Sequence, residues 1–404
     1  MSANPPPAAP RYVFWRLAGF YAAYFLAIGI YMPYWPLWLD GKGLTPVEIG
    51  WVLAGAFWIK VAAQPTVARI ADWRGRTRGL TTGLMALAAI GFAAITTADG
   101  FWPLLIIAGV TAACYQPVLP VMESVVLRHV DAHRLDYGRI RLWGSVTFVM
   151  GTVGIGWWID GRSATSVVWF MAAAMALVAV ACALAPDRPA QTSNRSDIGL
   201  TALFLKPAFL LFLLTTALIN SSHAVLYGFA TLHWHNLGHG ETLIGMFWAI
   251  GVIAEIGLFA IAGRYRDKLG AVTLLALAAL GGVIRWPLLA VTEDAAGLLA
   301  LQILHGLTFG AGHLGAMSFL SGSIPAELSA TGQSLYYALI GGVFAGCMFP
   351  MAGWLYSDLS GDAFLVMGSF SAAALLGVFC LSRVWHGADA VEHRKKTEKR
   401  SSIS

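Results

Sequence analysis

Apolar runs about as long as one bilayer crossing follow one another along nearly the whole chain, separated by short polar or charged breaks. A crossing helix needs roughly 20 mostly apolar residues, and backbone that faces lipid must pair all its own N–H and C=O groups. The runs therefore predict helices over 12–36, 46–68, 80–98, 101–127, 138–160, 164–185, 207–233, 242–262, 272–291, 295–320, 332–356 and 363–384. An all-α membrane protein of twelve transmembrane helices is expected. Between the sixth and seventh runs, Asp, Arg, Pro, Gln, Ser and Asn displace the apolar pattern over 186–206. That break divides the chain into an N-terminal tail (1–11), a six-helix bundle (12–185), a central loop (186–206), a second six-helix bundle (207–384) and a basic tail (385–404).

Composition strengthens this picture. Apolar residues make up 58% of the chain and charged residues 12%, with a mean hydropathy of +0.68; a soluble domain carries about a quarter charged residues. The first ten residues are Pro/Ala-rich and lack a cationic stretch before an apolar core, so no cleaved signal is expected. Cys114, Cys182, Cys347 and Cys380 all fall inside predicted spans without metal-ligand spacing, which points to packing and to no metal site.

The net charge of +5 could suggest nucleic acid, but its distribution points to topology instead. Arg69, Arg74, Arg76, Arg78, Arg128, Arg134, Arg188, Arg195, Lys206, Arg264, Arg266 and Lys268 all fall in loops of one side, and the tail adds Arg394, Lys395, Lys396, Lys399 and Arg400. Opposite loops offer Lys42 and Arg162. By the positive-inside rule both termini are cytoplasmic in a bacterial inner membrane, the lipid bilayer is a partner, and nucleic acid is not.

One fixed offset relates the two bundles. Gly43 matches Gly238, Ile49-Gly50 matches Ile244-Gly245, and Asp72-x-x-Gly75 matches Asp267-x-x-Gly270. Two parallel six-helix repeats suit alternating access about a site at their interface.

The loop Gly263-Arg-Tyr-Arg-Asp267-Lys268-Leu-Gly270 resembles the cytoplasmic signature G-x-x-x-D-[RK]-x-G of the major facilitator superfamily. In its first-half copy Ala68 and Trp73 replace the first Gly and the basic residue, while Asp72, Gly75 and Arg76 remain. The resemblance implies a fold of two pseudo-symmetric six-helix halves. It also implies gate roles for Asp72, Gly75, Arg76, Gly263, Asp267, Lys268 and Gly270, the Asp bonding a helix end and the cations pairing across the halves.

Ionisable groups inside spans are costly in hydrocarbon and mark candidate chemistry. They are Lys60, Glu123, Arg141, Glu255, Arg285, His305 and His313, with the polar run Asn220-Ser221-Ser222-His223 beside them. Each also has a plain structural reading: snorkelling for Lys60, an ion pair for Glu123 with Arg141, and helix packing for the histidines. Glu255 lies far from either end of its span, where a carboxylate needs a proton or a cation. Arg139 and Arg141 point to different faces, and Arg139 is placed to snorkel.

The segment Asp136-Tyr-Gly-Arg-Ile-Arg-Leu-Trp-Gly144 is similar to the fifth-helix opening of lactose permease, which places Arg141 as the substrate arginine and Glu123 as its acidic partner. Glu255 and Arg285 fall where that permease has its helix-eight acid and helix-nine arginine. On helix ten, Gln302, His305 and Thr308 replace Lys, His and Glu. Leu135–Ser145, His223-Ala-x-x-Tyr227-Gly-Phe229, Ala254-Glu255, Arg285-Trp286 and Gln302-Ile-Leu-His305 resemble the 3-phenylpropionate permease group, near the lactose and nucleoside symporters. What this implies is a monomeric secondary transporter that imports a small aromatic carboxylate with protons, without cofactor beyond the coupling proton. Arg141, Glu123, Arg285, Tyr227, His223 and Lys60 are then substrate-site residues; Glu255, His305 and His313 handle the proton. Tyr24, Phe229 and Trp248 are candidate aromatic walls. A sugar or nucleoside symporter, or an exporter of the same fold, remains the alternative. No H-x-x-x-x-D, D-x-D or Ser-His-Asp set suggests an enzyme.

Overall fold

The computed structural model describes residues 11–187, 206–265, 269–324 and 329–385. Eleven helical stretches among them are long and apolar enough to cross a membrane. The last, Gly332–Val384, has 53 residues, or ~80 Å of helix against a hydrocarbon core of ~30 Å. A 3-10 turn at Ser360–Asp362 breaks it, with Ser360 in the left-handed region at φ 51°, so the stretch holds two spans. The twelve are α1 (Arg11–Gly41), α2 (Pro46–Arg74), α3 (Arg78–Thr97), α4 (Phe101–His133), α5 (Tyr137–Ile159), α6 (Ala164–Leu184), α7 (Pro207–Asn236), α8 (Glu241–Tyr265), α9 (Ala271–Val291) and α10 (Ala295–Ser323), followed by α11 (329–359) and α12 (Ala363–Val384). No described residue lies in a strand.

Helix ends follow local chemistry. Thr45 and Glu48 form a capping box before α2, and Pro46 occupies its first turn, where a missing N–H costs nothing. Gly75 closes α2 at φ 65°, its amide donating to Ala71 and Asp72 carbonyls. Asp136 and Asp294 accept from Arg139 N and Gly297 N to start α5 and α10. The repeat-related Gly43 and Gly238 have φ of 82° and 88°, a backbone state that glycine adopts without the Cβ penalty.

Two helices break inside their spans. α4 interrupts at Gln116–Pro117, and Gln116 Nε2 donates to Ala56 O of α2 at 2.7 Å. α7 interrupts at Ser222–His223. Two others change winding: Gly306–Ala311 of α10 and Leu339–Phe344 of α11 are π-helical.

The described chain packs as two compact units. One comprises α1–α6 with the segments Tyr227–Ala249 and Phe349–Ser357; the other comprises the rest of α7–α12. Within the first, α3 packs on α4 and α6, and α1 on α5 and α6; within the second, α9 packs on α10 and α12, and α7 on α12. Equivalent pairings thus recur. Small residues permit the close approaches that hold helices together in lipid, where apolar burial gives little drive: a methyl on Gly151 of α5 would lie 2.8 Å from Leu26 O of α1. The second unit is centred on Phe212, Phe319 and Tyr336, with Phe212 and Phe319 stacked at 4.1 Å. Large apolar side chains such as Ile90, Ile106, Val110, Met150 and Leu376 face outward, as lipid contact requires.

Candidate functional site

Glu123 of α4, Tyr21 of α1 and Tyr137 and Arg141 of α5 form one cluster in the first unit. The Tyr21 hydroxyl donates to Glu123 Oε2, and Tyr137 donates to Oε1 at 2.5 Å. Arg141 does not pair with Glu123: among the described residues it makes no hydrogen bond or ion pair. Its guanidinium lies 3.9 Å from the Phe25 ring centroid and 5.1 Å from that of Tyr21. The expected acid–arginine pair is therefore absent here, because two phenols occupy the carboxylate and an aromatic face holds the cation. Arg141 and Glu123 are half-buried, whereas Arg139 is exposed over Phe14.

The second unit holds a denser network. Arg285 of α9 is fully buried and donates to Gln302 Oε1 at 2.7 Å, His305 Nδ1 at 3.1 Å and Thr308 Oγ1 at 3.0 Å. A guanidinium only donates, so His305 Nδ1 carries a lone pair and Gln302 turns its oxygen inward. Sequence comparison marked Gln302 and Thr308 as losses relative to lactose permease, whereas folded they are the ligands of Arg285. His223 sits at the α7 break. There its own amide bonds Asn220 O, and its Nδ1 reaches Ile219 O at 2.9 Å. A carbonyl only accepts, so Nδ1 carries the proton and Nε2 accepts from the Thr308 hydroxyl at 3.2 Å. Arg285, Thr308 and His223 form one polarised chain, with the Trp286 ring edge-on to His223 at 4.9 Å.

The other candidates scatter around these clusters. Phe309 lies parallel between His305 (5.5 Å) and His313 (6.3 Å), joining the two histidines along α10. Glu255 of α8 is half-buried beside the π-helical turn: a methyl on Gly310 would lie 3.7 Å from its Cγ. A cavity of about 110 Å³ opens here, lined by Asn220, His223, Thr308, His313, Tyr336 and Tyr337 among others, and both π-helical turns border it, as such turns often do at functional sites. In the first unit Tyr227 stacks on Trp248 at 6.2 Å, and Lys60 lies over the Phe57 ring. Phe229 is fully buried against Tyr356.

A close-packed seam runs through the first unit. Methyl groups on Gly50 and Gly245 would each lie 2.5 Å from a carbonyl, those of Phe349 and Thr152; Gly353 and Gly156 abut Pro46 O and Glu241 O. Tyr34 donates to Thr152 O at 2.6 Å, with Glu241 O at 3.4 Å, and Asp160 accepts from Thr242 N at the start of α8. Of the gate candidates, Asp72 and Arg76 are exposed and make no hydrogen bond or ion pair among the described residues. The capping role falls to Asp187, which accepts from Thr77 N and Oγ1. Gly270 begins α9 with an extended backbone and Gly263 lies in the last turns of α8. Asp267 and Lys268 lie outside the described residues.

Residues 14–366 match the family model described as the MFS_1 like family. The chain belongs to that family. It is a multi-pass transporter of small molecules and not an enzyme. The chain is 29% identical over 367 residues to the "Probable 3-phenylpropionic acid transporter" of Escherichia coli (strain K12), covering 89% of this chain and 96% of that protein. It is 28% identical over 373 residues to "Maltose permease" of Geobacillus stearothermophilus, covering 90% and 92%. A mutant of nucleoside transporter NupG superposes with a TM-score of 0.83 at 14% identity, over 91% of this chain and 99% of that one. A bacterial homolog of the human lysosomal transporter Spinster, inward-facing and occupied, gives 0.73 at 14%, over 93% and 97%. At these identities the structures speak for the fold, which is the major facilitator fold the cytoplasmic loop suggested.

Proposed function

We propose that this transporter imports a small aromatic carboxylate, such as a phenylpropionate, with protons by alternating access across a bacterial inner membrane. The observation that carries this reading is Arg141: a half-buried guanidinium stacked on Phe25, with Tyr21 beside it and no carboxylate partner among the described residues. Such a group offers a bidentate grip on a carboxylate next to aromatic surface for the ring. The likeness to a probable 3-phenylpropionic acid transporter supports the same substrate class.

Coupling is read from the second cluster. A proton arriving on His305 Nδ1 removes the lone pair that Arg285 uses, so protonation and release of that guanidinium are one event. Glu255, beside the same π-helical turn, is the second proton candidate. The glycine seam, with Gly50 and Gly245 at equivalent positions of the repeat, supplies a surface that closes by backbone contact, with the Asp160 to Thr242 N hydrogen bond beside it.

The test is uptake of labelled 3-phenylpropionate into proteoliposomes under an inward proton gradient. Accumulation abolished by a protonophore is expected. Absence of gradient-driven accumulation overturns the reading. Accumulation of labelled maltose instead, the substrate named for another relative, replaces it with sugar symport.

A further inference from the structure

The chemistry around Glu123 bears on which substrates Arg141 can hold. We propose that Tyr21 and Tyr137 are positioning residues that hold the Glu123 carboxylate away from Arg141, reserving the arginine for an organic anion. This rests on reading the Arg141 cluster as a carboxylate site and names what makes it one.

A carboxylate and a guanidinium on adjoining helices ordinarily close on each other through paired N–H···O bonds. Glu123 and Arg141 both reach Tyr21 from opposite ends of its side chain. The hydroxyl donates to Glu123 Oε2, and the ring lies 5.1 Å from the guanidinium carbon. Tyr21 therefore stands where an ion pair would form. Tyr137 takes the other oxygen, Oε1, at 2.5 Å. Each oxygen thus has a strong donor already, and phenols supply it without adding positive charge.

Phe25 completes the separation by giving the cation a face 3.9 Å away, an interaction worth ~0.5–2 kcal/mol. A cation–π contact through the guanidinium carbon consumes none of the N–H donors, which stay available to a carboxylate. Were Glu123 paired with Arg141, two of those donors would be taken and the charge offset, leaving a neutral pair suited to hydroxyl groups. With Glu123 held by phenols, the first strong acceptor to reach Arg141 is the substrate. Selectivity for an organic anion over a neutral polyol then comes from two hydroxyls that need not touch the substrate.

The experiment uses the full chain in lipid nanodiscs, with binding of labelled 3-phenylpropionate read by scintillation proximity and folding read by thermal midpoint. The double variant Tyr21→Phe/Tyr137→Phe keeps both rings and removes both donors, freeing Glu123 to capture Arg141. Its Kd is expected to rise by about tenfold or more. Adding Glu123→Gln to that background is expected to recover most of the loss, since an amide cannot form the ion pair. A structural role for the tyrosines would show no such rescue. Wild-type affinity in the double variant, or no recovery in a triple variant that keeps its midpoint, overturns the proposal. Should the double variant fail to fold, Glu123→Gln alone decides: tighter binding supports the proposal and weaker binding, by making Glu123 a ligand, overturns it. A wild-type chain that binds no small aromatic carboxylate overturns the reading of the site itself, and the proposal with it.

Discussion

At the scale of single residues, the two arginines are held in different ways. Arg285 is buried and donates to Gln302, His305 and Thr308, three neutral acceptors; Arg141 is half-buried and rests on Phe25. Arg141→Ala should abolish uptake, and Arg141→Lys should restore little of it, because an ammonium is a point charge without a planar pair of donors; initial rates in proteoliposomes check both. Glu255→Gln should lose proton-driven accumulation while exchange of labelled for unlabelled substrate continues. Wild-type accumulation by that variant removes Glu255 from coupling and leaves His305. Arg141, Arg285 and His305 were legible in the sequence because ionisable groups are rare in apolar spans. Tyr21, Gln302 and Thr308 were not, since a Tyr in an aromatic-rich helix or a Thr among apolar residues carries no such contrast.

At the scale of elements, the helices begin and end close to where the apolar runs do, and a few, α2 and α4 among them, outrun the apolar stretch by a turn or two into polar sequence. α2 continues from the predicted end at 68 to Arg74 and stops at Gly75. The internal irregularities were not legible. Pro33 and Pro36 lie inside α1 without ending it, whereas α7 breaks at Ser222–His223 with no proline there. The π-helical turns likewise reflect packing around the cavity rather than local propensity. The glycines give the cleanest test at this scale. Gly50→Ala and Gly245→Ala each drive a methyl onto a carbonyl 2.5 Å away, a cost of about 1–3 kcal/mol. Gly154→Ala of α5 meets nothing within 4 Å. The first two should lower the thermal midpoint of the purified protein and slow transport; the third should do neither.

At the scale of the whole molecule, the positive-inside distribution predicts that both ends of the chain face the cytoplasm. Epitope tags at either end should be reached by antibody in inverted membrane vesicles and not in intact spheroplasts. Labelling of either tag from the outer face would refute that topology. Apolar run lengths and the signature loop determined the twelve spans and the family, because the bilayer imposes helix length and backbone pairing on any sequence that crosses it. Tertiary structure alone decided the partners: that Glu123 bonds two tyrosines instead of Arg141, and that Gln302 and Thr308 serve Arg285. Those contacts join side chains of different helices, and which rotamer meets which acceptor depends on helix rotation and depth, quantities that periodicity constrains only to a face.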